Sequence, residues 1–419
     1  MTSTAVKNEG PAAVAPAPTV GSHLHNYWRR VLGGDIGALP AVGMLVVLAA
    51  IFSIARPSFL TAGNFANLFT QGAAIILIAM GLVFVLLLGE IDLSAGYASG
   101  VCAAVLANVV TTFGYPWWLA VLAAVAAGVV IGTVLGFLVA KVGIPSFVVT
   151  LAGFLAFQGI ALMLMKEGAN ISVRDDVLLA IANRNLPPAV GWLLAALGVA
   201  GYAAAQLLRH RQRSARGLLT DPIAVVFARV GTLALVLGIA VFILNLERSR
   251  NVLITSLKGM PIVVPIIAVL LIVWTFVLQR TTYGRHVYAV GGNREAARRA
   301  GINVDRIRIS VFVICSGMAA VGGIVAASRA NSVDPNTGGS SVLLYAVGAA
   351  VIGGTSLFGG KGRVLDAVFG GAVIAVIANG MGLMGYSSGV KYVVTGIVLL
   401  GAATIDALTR RRAAATGTR

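Results

Sequence analysis

Two carboxylates stand where continuous apolar sequence is interrupted. Residues 82–89 (LVFVLLLG) are apolar, then Glu90-Ile91-Asp92-Leu93-Ser94-Ala95-Gly96 intervenes before apolar sequence resumes. An ionised carboxylate is costly beside hydrocarbon, so Glu90 and Asp92 should face a protein interior, water or a partner. Gly89 and Gly96 permit a broken helix or a re-entrant turn. Two readings are open for Glu90, Asp92, Ser94 and Gly96. They form a helix break capped by Asp92 and Ser94, or they line a polar pathway. No intramembrane cation clearly pairs with the two carboxylates, which weighs against coupling to an ion gradient. A second Gly-rich break, 353–362 (GGTSLFGGKG), holds Gly353, Gly354, Thr355 and Ser356 as candidates of the same two kinds. Glycines there let helices approach closely or change direction. Both 77–96 and 343–362 read as an apolar run followed by such a break, which fits an internal repeat and fits chance as well.

The 353–362 stretch also comes nearest to a phosphate-binding loop. That loop needs GxxxxGK[ST], because its spacing sets the phosphate cradle and its hydroxyl coordinates magnesium. Here Lys361 is followed by Gly362, and Gly354 lies one residue too far away. ATP hydrolysis by this chain is therefore rejected. The four histidines form no HExxH pair, and Cys102 and Cys315 sit far apart inside apolar runs as packing residues. Neither a metal nor a cofactor is expected.

These breaks must be held by membrane-embedded elements. Apolar residues make up 58% of the 419-residue chain and charged residues only 11%, against about 25% in soluble domains. That excludes a soluble globular protein and a disordered chain. The formal charge of +17 invites nucleic acid, but no basic stretch is interleaved with aromatics. An excess of Lys and Arg in cytoplasmic loops explains it better, so no nucleic-acid partner is expected.

The expected fold is all-α, a polytopic membrane protein with about twelve transmembrane helices and a broken or re-entrant helix near 89–96. A crossing takes about 20 helical residues. The candidate spans are 39–55, 72–89, 95–113, 116–140, 146–165, 189–208, 222–246, 260–278, 310–328, 342–358, 364–384 and 388–408. Residues 1–38 form a polar cytoplasmic tail in which Trp28, Arg29 and Arg30 suit an interfacial anchor; 39–408 is the membrane domain and 409–419 a basic cytoplasmic tail. With the N-terminus inside, the inside segments carry 21 Lys and Arg and the outside segments 9, counting Lys391 at the outer end of the last span with them. The asymmetry predicts that both termini are cytoplasmic.

Residues 209–217 (RHRQRSARG) form a short basic loop that serves as a topology determinant. Residues 279–309 are different, a cytoplasmic segment with the look of folded soluble sequence. Asn293 can cap a helix over 294–300 and Gly301 can end it. Such a helix would place arginines on one side and alanines on the other. It would lie on the membrane surface or dock a cytoplasmic partner.

Three stretches now carry a resemblance. GEIDLSAG at 89–96 resembles the GGIDLSVG signature of carbohydrate ATP-binding-cassette (ABC) importer permeases of the ribose/xylose type. YGRHVYAVGGNREAARRAGI at 283–302 is similar to that family's cytoplasmic coupling segment, and GGTSLFGGKGRVLDAVFGGAVIAVIANGMGLMG at 353–385 to its C-terminal signature. Two departures, Glu90 in place of a common glycine and an insertion of two spans over about 166–259 on a ten-span core, look like the D-xylose branch. The resemblance implies a permease subunit in a bacterial inner membrane, acting as a homodimer or paired with a sibling permease on a monosaccharide. It implies an ABC ATPase partner inside and a sugar-binding protein outside. It assigns ATPase coupling to Gly291, Gly292, Asn293, Arg294, Ala296, Ala297, Arg298, Ala300 and Gly301. The alternative is an ion-coupled secondary sugar carrier using Glu90 and Asp92. A membrane-embedded enzyme would need clustered catalytic groups that the sequence does not offer.

Overall fold

A computed structural model describes Gly21 and residues 39–415, apart from 167, 219, 250 and 253–255. The tail over 1–38, except Gly21, and residues 416–419 lie outside the described residues, so Trp28, Arg29 and Arg30 receive no structural account. Fifteen helices follow one another: α1 Leu39–Ala55, α2 Ala62–Leu87, α3 Ala95–Ala107, α4 Trp117–Phe137, α5 Ser146–Leu164, α6 Asp176–Asn183, α7 Pro188–Ala215, α8 Ile223–Asn245, α9 Val263–Arg280, α10 Thr282–Gly292, α11 Arg294–Arg299, α12 Val304–Ala330, α13 Ser340–Ile352, α14 Val364–Leu383 and α15 Ser388–Ala415. Single π-turns lengthen α3 to Thr112 and α4 to Val142. Strand structure among the described residues is limited to two-residue pairs, Ile171–Ser172 with Ser332–Val333 and Asn185–Leu186 with Met260–Pro261, both antiparallel.

Nine of the described helices are long and apolar enough to cross a membrane, and α1, α13 and the first part of α15 are shorter apolar helices. The protein is an all-α polytopic membrane protein, and each apolar run of the sequence contains a helix. Several boundaries moved, and α7 runs on to Ala215, so that 209–215 of the expected basic loop are helical. Three of the shifts have local reasons. Helix α2 starts at Ala62 instead of 72, because its polar first turns find partners inside the protein. Asn64 donates to the Phe59 carbonyl at 3.0 Å, and the Thr61 hydroxyl caps the Asn64 amide. Helix α12 starts at Val304 instead of 310, with Asn303 capping Arg306 at 3.0 Å. Helix α13 stops at Ile352, where the Gly353–Gly354 pair turns the chain away.

Helices α2 and α12 form the centre. Helix α12 packs on α2, α3 and α4, while α14 and α13 cover the other flank of α2. Lipid tails give helices no hydrophobic reason to associate, so close backbone packing has to supply the attraction. Gly128, Gly132 and Gly136 fall on one face of α4 at four-residue spacing and meet Ser316, Phe312 and Ile309 of α12. A Cβ on Gly132 would run into the Phe312 carbonyl. At the periphery α7 and α8 pack chiefly on each other and expose Leu193, Leu197, Phe227 and Leu235.

Candidate functional site

Helix α2 ends at Leu87, and the chain turns through Gly89, whose φ of 68° lies in the left-handed region that suits glycine. The turn carries Glu90 into the protein, where it is only 4% exposed. One carboxylate oxygen, Oε1, accepts hydrogen bonds from Arg308 Nε at 3.0 Å and Nη2 at 2.7 Å. Arg294 Nη2 lies 2.8 Å from the same oxygen and also donates to the Leu88 carbonyl at 3.1 Å. Arg308 belongs to the second turn of α12 and Arg294 opens α11. A single buried carboxylate thus joins three segments that are remote in sequence. The expectation that no cation pairs with Glu90 is corrected, because both partners lie more than 200 residues away, within the polar 279–309 segment. Taking these charges out of water is costly, and the multiple hydrogen bonds offset that cost.

Both Gly-rich breaks and the α10–α11 turn converge at this junction. The Gly360 amide donates to the Leu87 carbonyl at 2.8 Å. A Cβ on Gly291 would strike that same carbonyl, and one on Gly359 would come within 2.9 Å of the Gly89 nitrogen. Tyr288 donates to the Gly362 carbonyl at 2.7 Å, and the Tyr283 hydroxyl lies 2.8 Å from Ser310 Oγ. Burial pushes the Tyr283 phenol up to about 12, and Tyr288 is raised by burial too. Both stay protonated as neutral hydrogen-bonding groups at neutral pH.

Asp92 and Ser94 are fully buried and bonded to each other. Asp92 Oδ1 accepts from the Ser94 amide at 2.8 Å and from its hydroxyl at 2.6 Å. Asp92 Oδ2 has no hydrogen-bond partner among the described residues, and the Cys315 thiol lies beside the carboxylate. This geometry fits the helix-break reading. Ser146 and Thr150 of α5 hold the backbone of the same turn, through the Ile91 amide at 3.3 Å and the Ile91 carbonyl at 3.2 Å. Sequence reasoning missed both, since a hydroxyl inside an apolar helix gives no local signal. Gly96 lies in the first turn of α3, where a Cβ would press on the Gly338 carbonyl at 2.7 Å; it serves close packing, and Gly89 serves the turn.

Gly353, Gly354, Thr355 and Ser356 close a compact turn against α14. A Cβ on Gly353 would strike the Asp366 carbonyl, and Gly354 has a φ of 113°. Thr355 donates to Asp366 Oδ2 at 3.4 Å, and Ser356 Oγ accepts from the Phe358 amide at 2.9 Å.

In the 283–302 segment, Asn293 Oδ1 caps α11 through the Ala296 amide at 2.9 Å, and Gly301 ends it with a φ of 82°. Gly292, Ala296, Arg298 and Ala300 are exposed, and Gly291 is half-buried against Leu87. Ala297 differs: it is 4% exposed and packs into the core. The expected split of arginines to one side and alanines to the other is therefore corrected. A one-turn helix seated on the bundle turns Ala297 inward and leaves Ala296 and Ala300 outside among the arginines.

A cavity of about 430 Å³ opens between α2, α3, α12 and the loop before α13. Thr70, Gln71, Ser99 and Arg329 supply its polar lining. Gln71 and Leu87 are 16 residues apart on α2, so the cavity lies about 24 Å from the junction at 1.5 Å per residue. None of the residues singled out from sequence lines it. Gln71 falls just ahead of the expected span and Arg329 just past one, so both read as ordinary loop polarity. Elsewhere, Gly385-Tyr386-Ser387-Ser388-Gly389 matches GxSxG, but it joins two helices, α14 and α15, and lacks the strand that a nucleophile elbow requires.

Residues 64–403 match the family described as "Branched-chain amino acid transport system / permease component". The xylose transport system permease protein XylH of Escherichia coli strain K12 is 36% identical over 376 residues, covering 88% of this chain and 93% of that protein. Its counterpart in Haemophilus influenzae is 33% identical, covering 88% and 95%. The ribose import permease protein RbsC of Escherichia coli strain K12 is 30% identical over 362 residues, covering 86% and 91%. No solved structure matches. The family match spans both Gly-rich breaks, the α10–α11 segment and the cavity helices together, and the chain therefore belongs to the ABC transporter permeases of the ribose/xylose type.

Proposed function

We propose that this chain is the translocating subunit of an ABC importer that carries a monosaccharide, D-xylose or a similar pentose or hexose, into the cytoplasm. It works as a pair of permease copies in a bacterial inner membrane, with both termini in the cytoplasm. A separate ATPase drives it from inside, and an extracytoplasmic binding protein delivers the sugar. The observation that carries this reading is the Glu90 junction. Helix α11 is tied through Arg294 to the α2–α3 break, and the break is tied through Arg308 to α12. Exposed Ala296, Arg298 and Ala300 offer a docking face on that same helix. Movement of α10 and α11 by a closing ATPase then reaches the two central helices without an intervening flexible loop.

The secondary-carrier alternative gives Glu90 the task of taking up and releasing an ion. Two guanidinium groups already occupy that carboxylate, which favours a fixed mechanical role. The experiment is uptake of labelled D-xylose into proteoliposomes holding the permease, its ATPase and its binding protein. Uptake that requires ATP and persists after a protonophore supports the importer. Uptake without ATP that stops with the protonophore rejects it.

A further inference from the structure

We propose that the cavity between α2, α3, α12 and the loop before α13 holds one neutral monosaccharide during its passage through the permease. The inference rests on the sugar-importer reading and adds where within this chain the sugar is held. The volume of about 430 Å³ lies in the lower part of the range of about 300–1,000 Å³ for small-molecule sites. Its walls are mainly small and aliphatic side chains, including Ala74 and Ala326, with a few polar groups set among them. That mixture suits a sugar ring, which presents C–H faces and a rim of hydroxyls.

The polar groups are unspent in a way that fits hydroxyls. Gln71 Oε1 accepts from Asn379 Nδ2 at 3.2 Å, and that same amide nitrogen donates to Asn64 Oδ1 at 2.8 Å. The Gln71 side chain is thus anchored through its oxygen, and its Nε2 donates to no described residue. Arg329 makes no ion pair or hydrogen bond among the described residues. It sits in the last turn of α12 and is exposed, so its guanidinium stands in water at the edge of the cavity and keeps its donors free for a ligand. Ser99 is buried and donates to the Gly96 carbonyl at 2.6 Å; Thr70 donates to the Asn67 carbonyl at 3.1 Å. Each hydroxyl oxygen keeps acceptor capacity. The cavity therefore offers donors from Gln71 and Arg329 and acceptors from Ser99 and Thr70. A sugar hydroxyl both donates and accepts, so it can use both sets.

The position also fits. Gln71 sits on α2 and Arg329 on α12, the two helices whose other ends meet Glu90. Arg308 and Arg329 are 21 residues apart, about 32 Å along α12. A shift at the junction is carried by two rigid rods to the two residues that would grip the sugar.

The test uses the complete importer in proteoliposomes with Ala326→Cys, a cavity-lining position. The native Cys102 and Cys315 are buried and form a silent background. A small methanethiosulfonate reagent is applied, and labelling is counted by mass spectrometry. Tyr115→Cys, at an exposed position away from the cavity, is the control. Labelling Ala326→Cys is expected to cut ATP-driven D-xylose uptake at least tenfold, while labelling Tyr115→Cys leaves it unchanged. Gln71→Leu is expected to lower ATP-driven uptake about tenfold with complex assembly retained, and undiminished uptake by it counts against the assignment too. Full labelling of Ala326→Cys with undiminished uptake overturns the cavity assignment, as does failure of that cysteine to react from water. Absence of uptake by the unlabelled wild-type importer, with both D-xylose and ribose, instead overturns the sugar-importer reading on which the inference rests.

Discussion

Arg308 directs both Nε and Nη2 at one oxygen of Glu90, at 3.0 and 2.7 Å, and holds the α2–α3 break against the start of α12. The Glu90 side chain is 5% exposed and the Arg308 side chain 15%. Deleting the carboxylate leaves a largely buried guanidinium without its counter-charge. Breaking a buried pair from one side costs about 3–5 kcal/mol, and the partial exposure of Arg294 puts this case near the lower bound. Glu90→Ala should therefore lower the thermal midpoint of the detergent-purified protein clearly. The double variant Glu90→Met/Arg308→Met should recover much of the loss, since an apolar pair of similar size is nearly neutral there. A wild-type midpoint for Glu90→Ala would show that the pair does not support the fold.

Gly291 and Gly292 are neighbours with opposite surroundings. A Cβ on Gly291 collides with the Leu87 carbonyl, which already accepts from the Gly360 amide. The obstacle is backbone, so no side-chain rotation relieves it. A Cβ on Gly292 meets nothing within 4 Å. Gly291→Ala should cost about 1–3 kcal/mol of stability, as overpacking does, and should reduce ATP-driven uptake. Gly292→Ala should leave stability within about 0.5 kcal/mol of wild type, as for ordinary surface changes. Equal behaviour of the two variants would remove this contact from the mechanism.

The features legible in the sequence are those encoded locally. Asn293 and Gly301 mark the ends of α11 because a cap and a left-handed terminator act within one turn. The apolar runs mark the membrane helices because crossing takes a fixed length. The Glu90 pairing was not legible, since its partners stand 204 and 218 residues away and no local rule links a carboxylate to an arginine at that range. Ala297 pointing inward was not legible either, because a helix of six residues is too short for periodicity to set its buried face. The cavity stayed hidden because Thr70, Gln71, Ser99 and Arg329 come from three different helices.

The loop after α8 should respond to acid through Glu247. Its carboxylate accepts from the Ser256 hydroxyl at 2.6 Å and from the amides of Leu257, Ser249 and Arg248 at 2.9–3.0 Å. The Ser256 bond foremost, followed by the amides, holds the carboxyl down at about 2. A depressed folded-state value stabilises the loop above the ordinary glutamate value of about 4.3, and the effect is lost as pH falls toward 2. Pepsin cleavage at Leu257 should be slow near pH 4.5 and speed up toward pH 2. In Glu247→Ala it should be fast at both. Identical pH profiles for the two proteins would dissociate Glu247 from the loop's order.

The charge asymmetry of 21 to 9 predicts that both termini are cytoplasmic. A phosphatase reporter, active only outside, should be silent when fused at Gly417, and a fluorescent reporter that folds only inside should be bright there. The same pair at Gly21 should give the same result. An active phosphatase fusion at either position would invert the map and would put the α10–α11 segment on the wrong side for an ATPase.

The proposed docking face of α11 is tested by two alanines one residue apart. Ala296 is exposed, whereas Ala297 is buried in the core. If an ATPase grips α11, its groove meets Ala296, Ala300 and the arginines beside them, and it never touches Ala297. Ala296→Trp should then keep the thermal midpoint of the isolated permease and lose co-purification of the ATPase by at least tenfold. Ala297→Trp should lower the midpoint itself, with a stability cost of about 1–3 kcal/mol, because bulk forced into a packed core strains its neighbours. The competing idea is that α11 only rests on anionic lipid through Arg298 and Arg299. In that case Ala296→Trp keeps the ATPase bound, and Arg298→Gln with Arg299→Gln weakens binding to vesicles rich in phosphatidylglycerol. Retained ATPase binding by Ala296→Trp, at wild-type stability, would end the docking assignment. Loss of binding at unchanged stability would set α11 as the contact through which ATPase closure pulls on Arg294, and through Arg294 on Glu90.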